Sequence, residues 1–118
     1  MSDCIFCKIA RKEIPAEIIY ESDNFIAFLD ANPCSKGHTL IIPRKHFFNL
    51  IELPAILGNE LLDVVKKVAE MRFRDGAEGF NVIVNNGKEA GQVVMHLHVH
   101  VIPRKKGEKA IVRFPCGA

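Results

Sequence analysis

A chain of 118 residues with 48% hydrophobic and 25% charged residues has the size and composition of one globular domain, and we expect a single domain over residues 1–118. Its formal net charge of +2 is too small to favour binding to nucleic acid or to a membrane surface through charge alone. No apolar run approaches the roughly 20 residues of a membrane helix, and the first thirty residues lack the apolar core of a secretion signal, so we expect a cytoplasmic protein.

The predicted elements begin with a short helix and a hairpin. The opening CIFCKIARKE places Ile5 and Ile9 at helical spacing. EIIYES and FIAFLD are typical of two strands, and the turn residues SDN separate them. HTLIIPRKH predicts a third strand, with Pro43 near its end, where a missing amide hydrogen is tolerated.

An amphipathic helix is predicted from about Pro54 to Arg72. Apolar residues recur there every three or four positions, and charged residues occupy the other side. GFNVIVNN predicts a fourth strand, GKEAGQ a glycine-containing loop and HLHVHVIPR a fifth strand. This order favours the α+β class, with an antiparallel sheet and helices to one side of it.

The last predicted strand contains three of the five histidines of the chain: His96, His98 and His100. Successive side chains of a strand point to opposite faces, so the intervening Leu97, Val99 and Val101 are expected to face a core while the histidines share the other face. The outer two histidines would lie roughly 13 Å apart along a straight strand, which disfavours one metal ion bound by all three. Imidazoles near neutral pH supply nucleophiles and acids, and a fixed row of them suits chemistry at phosphorus. The alternative is exposure to solvent on an open sheet.

These motifs resemble the histidine-triad superfamily of nucleotide hydrolases and transferases. HLHVHVI matches its pattern His-apolar-His-apolar-His-apolar-apolar. IFCKIARKEIPAEIIYE, FIAFLD, KGHTLIIPRKH and NNGKEAGQ resemble the Hint branch, the purine-nucleoside phosphoramidases. The galactose-1-phosphate uridylyltransferase branch has a proline between histidines where this chain has Leu97 and Val99, and the Fhit branch lacks the IFCKI opening. The resemblance implies a five-stranded antiparallel sheet with two helices, and a homodimer across which the sheet continues.

The resemblance also implies a role for each active-site histidine. His98 resembles the nucleophile that attacks the α-phosphorus and forms a nucleotidyl-histidine. His100 resembles the residue that binds the phosphate and assists the leaving group, and His96 the one that supports the strand. His38 matches an additional active-site histidine, although by itself it is also typical of a polar residue that opens a strand.

The resemblance implies a nucleotide site around these histidines. Asp30 matches a carboxylate that accepts hydrogen bonds from both ribose hydroxyls; its alternative role is to cap the turn at ANP. An apolar purine site, which the residues alone would place in the core, is formed by Ile5, Phe6, Ile9, Ile14 and Phe28. Glycine lets backbone N–H groups approach an anion, and the phosphate-side loop contains Asn85, Gly91 and Gln92. Val93 stands where the family usually has a Ser or Thr whose hydroxyl contacts the phosphate.

Cys4 and Cys7 form a Cys-x2-Cys pair, the usual spacing for zinc. The resemblance adds His46 and His96, and two thiolates with two imidazoles would close a structural zinc site. A redox pair, which is expected beside a βαβ pattern, and two unpaired core thiols are the alternatives. No organic cofactor is implied, and we assign no role to Cys34 or Cys116.

Three functions are compatible with a purine nucleotide as substrate. The first is hydrolysis of purine nucleoside 5′-phosphoramidates or related adenylates at the α-phosphorus through His98. The second is hydrolysis of dinucleoside polyphosphates by the same residues. The third is a zinc-stabilised dimer that binds a nucleotide or a partner with little turnover, which the intact triad disfavours and Val93 leaves open. The C-terminal RFPCGA lacks the aromatic ending that helps to shape the partner's site in some Hint proteins, so the acceptor preference is open.

Overall fold

The computed structural model describes residues 4–108, and its centre is an antiparallel sheet with the order β1-β2-β3-β5-β4. The strands are β1 (Ile18–Glu21), β2 (Phe25–Leu29), β3 (Thr39–Pro43), β4 (Gly79–Val84) and β5 (Val99–Arg104). The helices are α1 (Ile5–Ala10) and α2 (Gly58–Arg74), and short 3-10 turns cover Leu50–Glu52, Ala55–Leu57 and Lys88–Ala90. The predicted fold class is confirmed. The RFPCGA segment lies outside the described residues.

Strands β2 and β3 are paired along their whole length. Their register runs without interruption from Phe25 opposite Pro43 to Leu29 opposite Thr39. Both strands are almost entirely buried, which explains why they consist of continuous apolar runs rather than alternating apolar and polar residues. Pro43 is the last residue of β3, as predicted. None of the helices in residues 4–108 is long and apolar enough to cross a membrane.

The two helices pack on opposite faces of the sheet. One core cluster joins α1 to alternate residues of β2 and β3, namely Ile26, Phe28, Leu40 and Ile42. A second cluster joins α2 to the residues between them and to β5, namely Phe25, Ala27, Ile41, Val99 and Val101. The expectation of helices on one side is therefore wrong. Since both faces of β2 and β3 are apolar, each face has to be covered, and helical periodicity does not specify which face a helix covers.

The regular part of β5 begins at Val99, so only the last of the three histidines lies in the strand. The prediction of a strand through His96 and His98 is wrong, because both neighbouring strands stop pairing at Val99. Pro43 lies two residues beyond Ile41, the last residue of β3 that pairs with β5, and it has no amide hydrogen to donate. The Leu97 amide donates instead to the main-chain oxygen of Phe47 at 2.7 Å.

All three histidines are buried, with at most 2% of their surface exposed. Val99 and Val101 face α2, as predicted. The opposite side is covered as well, since the Phe6 ring of α1 packs edge-on against His96 and His98. The alternative of histidines exposed on an open sheet is therefore wrong.

Candidate active site and metal site

A cavity of about 550 Å³ lies between α1 and the sheet face that α1 covers. Its lining includes all five residues predicted for the purine site: Ile5, Phe6, Ile9, Ile14 and Phe28. Asp30, which is 7% exposed, lines the same cavity. The volume falls in the range of pockets for small molecules, and an apolar wall with few polar groups is typical of them.

The sequence analysis missed eight further lining residues, among them Leu40 and Val94. Leu40 shares a sheet face with Ile42, so strand alternation could have identified it. Val94 lies in the irregular segment before the triad and also lines the cavity. A residue in an irregular segment has no periodic signal, and only the folded structure reveals its position.

His98 is held in one tautomer beside this cavity. Its Nδ1–H donates to the main-chain oxygen of His96 at 2.8 Å. Because a carbonyl oxygen only accepts, Nδ1 carries the proton and Nε2 of the neutral ring keeps its lone pair. The ring centroids of His98 and Phe6 are 5.1 Å apart, so the candidate nucleophile packs against a residue that lines the cavity.

His100 receives a hydrogen bond from a second buried histidine. The Cys34 backbone N–H donates to Nδ1 of His38 at 3.0 Å, so neutral His38 carries its own proton on Nε2. Nε2 of His38 is 3.0 Å from Nδ1 of His100 and donates to it. His100 in its neutral form therefore carries its proton on Nε2, which makes that nitrogen a hydrogen-bond donor. The sequence analysis missed this relation, because its first donor is a backbone amide.

Burial keeps His38 neutral. It lowers the pKa of His38 below the ordinary value against the raising effect of Asp30, and Arg104 lowers that pKa further. The contact of 3.5 Å between His38 Nε2 and Asp30 Oδ2 is therefore not an ion pair at neutral pH. The other carboxylate oxygen, Oδ1, accepts from the Asn32 backbone N–H at 2.9 Å. Asp30 thus caps the turn and lines the cavity at once.

Asp30, His38 and His100 also have the atom types and spacing of metal ligands. The tautomer of His38 argues against a metal ion there. Its Nδ1 accepts an amide hydrogen, so Nε2 is protonated and offers no lone pair to a cation. The hydrogen bond to His100 accounts for the short distance between the two rings.

The predicted phosphate-side loop is held together by Gln92. Its Oε1 accepts from the Gly87 backbone N–H at 2.8 Å, and its Nε2 donates to the main-chain oxygens of Phe48 and Val94 at 2.7 and 3.1 Å. The side chain is 3% exposed, and its amide group holds the loop beside the cavity that Val94 lines. Gly91 has a φ of +92°, and a Cβ there would meet the Asn85 side-chain nitrogen at 3.9 Å. Val93 is 66% exposed.

Cys4, Cys7, His46 and His96 come together as a second cluster, and their ligand atoms all lie within 4.8 Å of one another. His96 Nδ1 is 3.4 Å from Cys4 Sγ and 3.5 Å from Cys7 Sγ. His46 Nδ1 is 3.3 Å from Cys7 Sγ. Ordinary zinc bond lengths give roughly 3.5 Å for the S···N edge of a tetrahedral site. The cluster therefore has the geometry of a tetrahedral metal site.

The protonation of this cluster suits a cation. Burial lowers the pKa of His96 to about 4, in spite of the hydrogen bond to Pro43, and His46 and His98 act in the same direction. Its Nε2 is 2.9 Å from the Pro43 main-chain oxygen and donates to it, which leaves the Nδ1 lone pair directed at the sulfurs. Burial and the neighbouring Cys4 raise the pKa of the Cys7 thiol, so metal binding would have to release that proton.

Comparisons with known proteins agree with this geometry. The model of the HIT domain family matches residues 11–107. An uncharacterized HIT-like protein of Methanocaldococcus jannaschii is 46% identical over 111 residues, which are 94% of this chain and 86% of that protein. Adenosine 5′-monophosphoramidase HNT1 of Candida albicans is 41% identical over 109 residues, 88% of this chain and 72% of that protein. The crystal structure of a zinc-bound histidine triad family protein from Mycobacterium smegmatis has a TM-score of 0.88 at 38% identity, and the match covers 95% of this chain and 82% of that one.

Proposed function

Because the chain belongs to the HIT domain family, we propose that it hydrolyses purine nucleoside 5′-phosphoramidates or related adenylates at the α-phosphorus. The observation that carries the proposal is the hydrogen bond from His98 Nδ1–H to the His96 carbonyl. In the neutral ring the lone pair then lies on Nε2, and the same ring packs against Phe6, which lines an apolar cavity together with Asp30. The similarity to a protein named adenosine 5′-monophosphoramidase supports the choice of substrate.

The first chemical step forms a bond between His98 Nε2 and the α-phosphorus and breaks the bond from phosphorus to the leaving nitrogen. The departing amine takes up one proton from solvent. The nucleotidyl-histidine ring is cationic, and the carbonyl that accepts from its Nδ1–H stabilises this charge. Water then attacks the phosphorus, the bond to His98 breaks, and one proton returns to solvent with release of the nucleoside monophosphate.

His100 and Asp30 assist without forming bonds to phosphorus. The Nε2–H of His100 donates to a phosphate oxygen, where such hydrogen bonds stabilise the charge that develops in the transition state. The acceptor oxygens of Asp30 bind the ribose hydroxyls, and the apolar lining of the cavity receives the purine ring.

A hydrolysis panel tests the proposal, with adenosine phosphoramidate, an aminoacyl-adenylate and a diadenosine polyphosphate as substrates and His98→Ala as the blank. Preferred cleavage of the first two supports the proposal. Preferred cleavage of the diadenosine polyphosphate would establish the second candidate function instead. Binding of AMP without turnover of any substrate would favour the third candidate function, a zinc-stabilised dimer that binds a nucleotide with little turnover.

We infer that the metal of the cysteine–histidine cluster is zinc. Two thiolates and two imidazoles at tetrahedral spacing are the ligands zinc prefers, and a site with four protein ligands leaves no position for a reacting water. The zinc-bound M. smegmatis protein supports this choice. In such a closed site zinc contributes structure, while the chemistry remains with the triad.

We also infer a homodimer that forms through β4. This strand lies at an edge of the sheet and exposes 38% of Phe80 and 46% of Val82. Phe73 of α2 packs edge-on against Phe80, which extends the apolar surface onto the helix. An exposed apolar edge strand favours pairing with another strand, and a second copy would continue the sheet. Light scattering should show a dimer for the wild type and a monomer for Val82→Lys; a monomeric wild type would contradict the inference.

A further inference from the structure

Helix α1 is shared by the metal site and the nucleotide cavity. Cys4 caps its first turn, where its sulfur accepts from the Cys7 backbone N–H at 3.4 Å. The same helix supplies Ile5, Phe6 and Ile9 to the cavity. A helix of six residues is far below the roughly 12–15 residues that are stable alone in water. The wall of the cavity therefore depends on what holds this helix to the sheet.

A second connection runs from the metal site to the candidate nucleophile. The ring of His96 is fixed on both sides, by the sulfurs at Nδ1 and by the Pro43 carbonyl at Nε2. The main-chain oxygen of the same residue accepts the hydrogen bond that sets the tautomer of His98. The Phe6 ring, one residue before Cys7, packs edge-on against both histidines. Movement of His96 or of α1 would therefore disturb His98.

We propose that metal bound at Cys4, Cys7, His46 and His96 positions the purine cavity and the nucleophile as one unit, so that metal occupancy controls nucleotide affinity. Cys4, Cys7 and His46 act in this as positioning residues. The inference rests on the proposed function, since it concerns the same site. Its rival is a metal that only raises the stability of the whole fold.

His46→Gln tests the proposal most directly, because His46 lies neither on α1 nor in the triad. Lys45→Ala is the matched control, since Lys45 is its exposed neighbour. Each protein is loaded with zinc, and AMP affinity is measured by calorimetry well below its melting temperature. The ¹⁵N chemical shifts of the His98 ring report whether Nδ1 still carries the proton.

The expected result is an AMP dissociation constant at least about tenfold higher for His46→Gln than for wild type, the size of change typical when support for a site is lost. The His98 ring should lose its single tautomer in that variant, and Lys45→Ala should behave as wild type. If His46→Gln does not fold, the same two quantities are compared between chelator-stripped wild type and wild type reloaded with zinc.

Three results would overturn the inference. A lower melting temperature with unchanged AMP affinity and an unchanged His98 tautomer would show that the metal only stabilises the fold. A wild type that binds no metal would also refute this inference, but it would leave the proposed hydrolysis of nucleotides unaffected. A zinc-loaded wild type that does not bind AMP would refute the proposed function together with this inference.

Discussion

His96 fixes the tautomer of His98, because its main-chain oxygen accepts the Nδ1–H of His98 at 2.8 Å. The two neutral rings are thus held in different tautomers although the residues are two positions apart. The Nδ1 of His96 is directed at the cysteine sulfurs, while the Nδ1–H of His98 donates to the His96 carbonyl oxygen. In the neutral rings the lone pair therefore lies on Nδ1 of His96 and on Nε2 of His98.

We expect His98→Ala to abolish turnover of adenosine phosphoramidate while the fold and AMP binding remain largely intact. Removal of the nucleophile prevents the covalent intermediate, whereas the cavity lining and Asp30 are unchanged. Single-turnover kinetics and calorimetry with AMP measure the two effects. Mass spectrometry of the trapped wild-type intermediate supplies the control, and an adduct on His96 or His100 would contradict the assignment.

We expect the titration of His38 to lower the free energy of unfolding in mild acid. Since burial lowers the pKa of His38, the unfolded chain takes up the proton below about pH 6.5 and the folded chain only at lower pH. The contribution of neutral His38 to the free energy of unfolding is fully present above about pH 6.5 and is lost as the pH falls through the lowered pKa. Urea unfolding of His38→Gln at about pH 7 and about pH 5 should show a smaller fall in unfolding free energy than wild type. Equal falls in the two proteins would show that His38 does not resist protonation.

Purified wild type should contain about one equivalent of zinc per chain, and Cys7→Ser should contain almost none. The serine preserves the size of the side chain but is a poor zinc ligand, so the variant should also melt at a lower temperature. Metal analysis and thermal unfolding measure the two effects. Wild type without metal, or with a melting temperature unchanged by chelators, would show that the four residues hold no structural metal.

Val93→Thr should raise kcat/KM for adenosine phosphoramidate several-fold. A hydroxyl that donates to a charged phosphate oxygen contributes about 1.5–3 kcal/mol, which is roughly ten- to a hundred-fold in rate if it acts in the transition state. Thr is nearly isosteric with Val, and the side chain is 66% exposed, so stability should hardly change. Unchanged or lower activity in the folded variant would show that position 93 does not face the phosphate.

Gly37→Ala should destabilise the fold by roughly 1–3 kcal/mol. Gly37 has a φ of +92°, and a Cβ there would lie 3.0 Å from an Arg72 nitrogen and 3.1 Å from its Cδ. Gly58→Ala is the matched control, because Gly58 has helical φ and ψ and its Cβ would meet nothing within 4 Å. The control should be neutral or slightly stabilised in urea unfolding. Equal effects of the two substitutions would contradict the expected strain.

Local patterns predicted the elements well because the formation of helices, strands and turns depends mainly on residues that are close in sequence. The apolar runs of β2 and β3 and the turn between β1 and β2 appear where the sequence places them, whereas the helix predicted from about Pro54 begins at Gly58, after a 3-10 turn over Ala55–Leu57. The faces that the helices cover could not be predicted, since both faces of β2 and β3 carry apolar residues. The start of β5 depends on Pro43 and on the end of β4, which are distant in sequence.

The candidate site was predictable in its side chains and not in its main-chain contacts. The motifs identified six of the fourteen residues that line the cavity and all four of the metal cluster. The Cys34 amide that sets the tautomer of His38 and the Pro43 oxygen that orients His96 have no sequence signal. Every residue has the same backbone groups, so only the fold shows which of them reach a histidine.

Alternate residues of β2 and β3 belong to two different core clusters. Odd-numbered side chains such as Phe25 and Ile41 pack in the cluster with α2, and even-numbered ones such as Phe28 and Leu40 line the cavity, as does Leu29 at the end of β2. Substitution of Phe25 or Ile41 therefore changes packing against α2 without changing the cavity lining, whereas substitution of Phe28 or Leu40 changes the lining itself. Stability and the shape of the cavity can thus be altered separately within the same two strands.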